Sequence, residues 1–160
     1  MADLFPAFVA CSGVAGAYVS LILYRGARSD IATRKFPAAY WSTARYIAPF
    51  TLAAYGIAAY SGAWNLVLNM LAFSIIAAVL FYILSMRAGF GGDCRALIYT
   101  CLLTPMFGMA ALALIAVVGC IQVAHNRITW NPVPAPYAIS ILIGFLLSYT
   151  LQMGVWATSF

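Results

Sequence analysis

Few residues in this 160-residue chain are able to carry chemistry: three aspartates (Asp3, Asp30 and Asp93), no glutamate, one histidine (His125) and four cysteines (Cys11, Cys94, Cys101 and Cys120). Ion-coupled transport needs a titratable group inside the bilayer, where a charge is costly and is kept only for a function. The three aspartates all fall at the ends of apolar stretches or between them, and the sequence predicts solvated loop charges there. One histidine supplies neither both axial ligands of a haem nor a zinc site without further ligands. His125 is expected in a water-exposed loop.

The cysteines include no Cys-x-x-Cys pair, so the thiol spacing of redox chemistry is missing. Cys94 is expected just before a helix and Cys101 inside it. Cys11 and Cys120 are expected at similar depth near the outer face, where a disulfide requires that their helices be neighbours; small apolar filling is the reading that fits them best. The run Gly89-Phe90-Gly91-Gly92 lacks the Gly-Lys-Ser/Thr ending of a phosphate loop and reads as a turn. No acid, base and nucleophile converge in the sequence. The expectation is a chain without enzymatic activity, metal or cofactor.

The elements that must hold these residues are apolar. Of the residues, 66% are hydrophobic and 7% charged, against roughly 25% charged in a soluble domain. Too few polar groups exist to cover a soluble surface, and lipid is the solvent expected. A crossing helix needs about 20 apolar residues. Five stretches answer, at about 5–24, 42–60, 65–86, 96–123 and 137–157, giving an all-α integral membrane protein with a bundle of five transmembrane helices in a single domain. The first is too long and too aromatic at its end for a cleavable signal, and no Ala-x-Ala site follows. The second is short and enters obliquely from near Ala38. The fourth, about 28 residues or roughly 42 Å, exceeds a hydrocarbon core of about 30 Å and must tilt or bend at Pro105. From His125 to Pro136, prolines at 132, 134 and 136 predict an extended loop.

Orientation follows from the basic residues, which stay on the cytoplasmic or matrix side. Arg25, Arg28, Arg34, Lys35 and Arg45 lie between the first two stretches, and Arg87 and Arg95 between the third and fourth. Five crossings place these seven on one side and only Arg127 on the other, with the N-terminus outside and the C-terminus inside. Tyr24, Tyr40 and Trp41 inside, and Tyr60, Trp64, Trp130 and Tyr137 outside, suit interfacial belts. Four crossings, with the second stretch on the surface, rank second because they separate Arg87 and Arg95 from the first basic loop.

Small residues Ala10, Gly13, Ala17 and Ser20 form a stripe on the first helix, and Gly144 with Ser148 repeats the pattern on the fifth, so close helix approach is expected there. Asn65 and Asn69 offer hydrogen bonds within the bilayer. The loop Arg25 to Arg45, with Phe36, Tyr40 and Trp41 interleaved, suits phospholipid headgroups, anionic ones above all. The charge balance therefore points to a membrane rather than to nucleic acid. The functional expectation is a non-catalytic membrane subunit of a larger complex, in a cytoplasmic or an energy-transducing inner membrane. The alternative is a small homo-oligomeric channel or carrier for an uncharged solute or lipid, lined by Asn65, Asn69, Ser74, Thr100 or Thr104.

Overall fold

A computed structural model describes residues 4–33, 35, 37–88, 91–129 and 137–158. Among these the chain is helical: α1 (Phe5–Thr33), a 3-10 turn (Ala38–Thr43), α2 (Ala44–Tyr60), α3 (Trp64–Ala88), α4 (Gly91–Leu103), α5 (Pro105–Ile128) and α6 (Tyr137–Ala157). Four of them, α1, α3, α5 and α6, are long and apolar enough to cross a membrane. The proline segment 130–136 lies outside the described residues.

α1 runs past Tyr24 to Thr33 because nothing in Arg25–Thr33 breaks a helix outright. Gly26, Ala27 and Asp30 continue the buried face of Ile22 and Leu23. The turn Ser61-Gly62 reverses the chain as expected, with Gly62 at φ 79°, a backbone that favours glycine.

The helix directions follow from specific contacts. Phe5 and Phe8, at the start of α1, meet Trp156, near the end of α6, with ring centroids 6.5 and 5.6 Å apart. Deeper in, the Tyr149 hydroxyl donates to the Gly13 carbonyl at 3.1 Å. The two helices are thus antiparallel, and both ends of the described chain sit at one end of the bundle. Phe8, Val9, Ala54, Ala58 and Val67 cluster there too, bringing in the end of α2 and the start of α3. With Tyr60 and Trp64 exposed beside them, this is the aromatic end.

α5 pairs antiparallel with α6. Phe107 lies against Tyr149 (5.3 Å between centroids), and the hydroxyl of Ser140 bonds the side-chain carbonyl of Gln122. α5 therefore runs in the direction of α1, and its last turn, with His125 and Arg127, lies at the opposite end. There it joins the end of α1, the starts of α2 and α4 and the end of α3. Every basic residue in a described helix belongs to this basic end: Arg25, Arg28, Arg45, Arg87, Arg95 and Arg127.

Three expectations differ from this geometry. The first and last described residues lie at one end of the bundle rather than at opposite ends. Arg127 is not set apart from the other basic residues. The single long stretch 96–123 is two helices, because the break at Thr104–Pro105 turns α5 back the way α4 came. His125 also belongs to the last turn of α5 rather than to a loop, and Cys94 lies inside α4. Cys11 and Cys120 are free thiols on opposite halves of the bundle, not at a shared depth.

Glycine permits the closest helix approach. A Cβ built on Gly144 would lie 2.5 Å from the Ile115 backbone nitrogen, whereas one on Gly56 would meet nothing within 4 Å. Gly144→Ala should therefore force α5 and α6 apart and cost about 2 kcal/mol or more, while Gly56→Ala should be neutral or stabilise by up to about 1 kcal/mol. Thermal unfolding of the two variants in detergent checks the contrast.

Candidate functional site

The break between α4 and α5 lies at mid-depth and is built from the sequence Thr100-Cys101-Leu102-Leu103-Thr104-Pro105. In an unbroken helix residue 105 would donate its N–H to the carbonyl of Cys101, but proline has none and its ring crowds that carbonyl. Thr104 leaves the helical region at φ −135°, ψ 55°, and Pro105 starts the new helix at a position it favours.

Neighbouring helices supply the missing donors. The Ser74 hydroxyl of α3 reaches the Cys101 carbonyl at 3.1 Å. The Phe107 N–H, which would have served Leu103, turns instead to the Thr104 carbonyl at 3.1 Å. Thr51 of α2 then donates to the Leu103 carbonyl at 2.6 Å. Ser148 of α6 reaches the Phe107 carbonyl at 3.1 Å, and Thr104 closes onto Thr100 at 2.7 Å. Each of these hydroxyl residues is buried. A broken helix away from water persists where side chains re-satisfy the freed backbone groups in this way.

Because the turn between α4 and α5 stops short of the aromatic end, the space there between α1, α3 and α6 is left partly unfilled. A cleft of about 450 Å³ results, floored by Pro105, Met106 and Met109 and walled by Phe8, Phe73 and Trp156. Two carboxamides reach it, Asn69 from α3 and Gln152 from α6. Neither has a hydrogen-bond partner among the described residues.

At the basic end α1 and α4 bring Asp30 and Asp93 together. Asp30, expected as a solvated loop charge, is 8% exposed, because α1 continues through it and packs that face inward. Asp93, in the first turn of α4, has its carboxyl pushed up to about 6, first by burial and then by the negative charge of Asp30. Trp41 of the 3-10 turn stacks on Tyr99 of α4, with ring centroids 4.9 Å apart.

The residues singled out from sequence separate into distinct places. Gly13 faces Met153 and Tyr149 of α6, and Gly144 and Ser148 serve the α5–α6 contact, so these three are internal. Ala10 and Ala17 are exposed, and Ser20 bonds back to the Gly16 carbonyl at 2.8 Å. Asn65 is exposed. Of the expected pore lining, Ser74, Thr100 and Thr104 are buried and bonded to backbone carbonyls. Arg25, Arg28, Lys35 and Arg45 are exposed, and Arg45 also lies over the Tyr46 ring at 4.9 Å. Arg34 lies outside the described residues.

Sequence reasoning missed Gln152, which lines the same cleft as Asn69, and it missed Thr51 and Ser148 as donors to the break. Pro105 was the available signal, since a proline within an apolar stretch demands donors from elsewhere. Among the described residues no group of three or more histidine, cysteine or acidic side chains is placed to hold a metal. No family model, curated protein or solved structure matches this chain.

Thr51→Val keeps the shape of the side chain and removes its donor. It should cost about 1–2 kcal/mol by stranding the Leu103 carbonyl, read as a lower unfolding midpoint in detergent, whereas the same change at exposed Thr150 should leave the midpoint in place.

Proposed function

We propose that the protein is a non-catalytic integral membrane subunit of a larger assembly, lying in a cytoplasmic or energy-transducing inner membrane. Its basic end faces the cytoplasm or matrix and both chain ends face the other side. The chain crosses four times, through α1, α2, α3 and α6, and the α4–α5 pair enters from the basic side and returns to it. The gathering of the basic residues at one end supports this orientation. At 17 residues α2 is short, spanning roughly 25 Å, and the preceding 3-10 turn extends its reach. Anionic headgroups are the natural partners of the exposed Arg25, Arg28, Lys35 and Arg45.

The observation that carries the assembly role is the outward face of α1. Gly13 and Gly16 are consumed by α6, yet Ala10, Val14, Ala17 and Leu21 remain exposed along the same helix. Ala10 and Ala17 are two turns apart and let a partner helix approach closely, and close packing is the main source of helix association in lipid. The channel alternative loses support because three of its five lining residues are engaged at the helix break.

Two experiments test this reading. Cysteines introduced at Arg28 and at Arg127 should react with a membrane-impermeant reagent from one side, and one at Gly62 from the other; labelling of positions 28 and 127 from opposite sides contradicts the topology. For the assembly role, extraction in mild detergent and native mass analysis should find the chain bound to other subunits. The double variant Ala10→Leu, Ala17→Leu should be released while still inserting and folding. A wild-type chain that runs as a monomer, or as a homo-oligomer alone, overturns the subunit reading.

A further inference from the structure

We infer that the cleft between α1, α3 and α6 is a binding site for one bilayer glycerophospholipid of the leaflet at the aromatic end, holding an acyl chain against its floor and ester carbonyls on Asn69 and Gln152.

The reasoning begins with depth. Asn69 stands five residues after the start of α3 at Trp64, and Gln152 five residues before the end of α6 at Ala157. At about 1.5 Å per residue, each lies roughly 7.5 Å inside the helix end. Exposed Tyr60 and Trp64 mark that end as an interface between water and lipid. The carboxamides thus sit below the headgroups, at the level where the glycerol esters of a diacyl lipid lie, and the floor at Pro105 and Met106 lies deeper, among the chains.

The chemistry of the lining agrees with this depth. Phe8, Phe73, Met106, Met109 and Trp156 present apolar surface to a cleft of about 450 Å³, within the roughly 300–1,000 Å³ typical of small-molecule sites. Methionine adapts to a flexible chain without a fixed shape. Two amide groups without protein partners are costly away from water. Each carries N–H donors that an ester carbonyl accepts, so an occupant that is apolar for most of its length and rich in acceptors at one end satisfies both surfaces. The cleft is partly open and bordered by the exposed residues Asn69, Met109 and Ala110, where a lipid can enter. The site is separate from the Ala10–Ala17 face of α1, so it stands or falls independently of the subunit role.

The test uses the full-length protein, delipidated in detergent and reconstituted into vesicles of dioleoylphosphatidylcholine. After mild detergent release, native mass spectrometry should show one phospholipid retained per chain. Asn69→Leu with Gln152→Leu should reduce retention roughly tenfold, as expected for two hydrogen bonds in lipid. Ala110 also lines the cleft, and Ala110→Phe, which fills it while keeping both carboxamides, should also expel the lipid. Vesicles of the matching diether lipid, which lacks ester carbonyls, should give wild-type protein the retention of the double variant. Equal retention of diester and diether lipid, or no retained lipid in the wild type, overturns the proposal. A photo-reactive residue at position 66 that crosslinks to polypeptide instead of lipid also overturns it, by showing that a protein partner fills the cleft.

Discussion

The fold depends on one constraint: a helix broken at mid-depth needs its backbone carbonyls satisfied without water. Pro105 removes the donor that Cys101 would have had, and Ser74 replaces it. Phe107 turns to Thr104, and Thr51 takes over at Leu103. These bonds tie α4 and α5 to α2 and α3 at a single depth, and Ser148 adds α6. Each is individually modest, yet the alternative is a buried carbonyl with no partner, costing about 1–3 kcal/mol. The hydroxyls of Ser74 and Thr104, which the sequence offers as a pore lining, are engaged at this break.

That break also sets the distribution of charge. If α4 and α5 formed one straight rod of 38 residues (13, Thr104 and 24), it would reach roughly 57 Å, and Arg127 would lie far from the other basic residues. Turned back, α5 returns Arg127 to the end that holds Arg25, Arg28, Arg45 and Arg95. The cleft has the same cause, because a hairpin that turns back short of the aromatic end leaves space there between α1, α3 and α6.

Small residues divide between two duties. Gly13, Gly16 and Gly144 admit side chains or backbone of neighbouring helices within this chain, and a Cβ would crowd Met153 at Gly13 and collide at the other two. Ala10 and Ala17 repeat the spacing on the outer face. The stripe from Ala10 to Ser20 holds both kinds, and spacing alone does not separate them, since a helix turn of 3.6 residues spreads intervals of three and four over neighbouring faces.

The sequence by itself determined the class. An apolar chain with so few charges cannot cover a soluble surface, and its long apolar stretches became helices, with α3 and α6 falling within a few residues of their expected bounds. It also marked Pro105 as a discontinuity and Gly62 as a turn, because backbone chemistry at those residues is local. Only the tertiary structure decided whether the chain at Pro105 bends slightly or turns back. That outcome rests on donors 54 residues before it, at Thr51, and 43 after it, at Ser148. The fate of Asp30 was equally hidden, since burial depends on which face of α1 meets α4. Asn69 was visible as a polar residue in an apolar helix, but it shares a cleft with Gln152 only because α3 and α6 face a space that the α4–α5 hairpin does not fill.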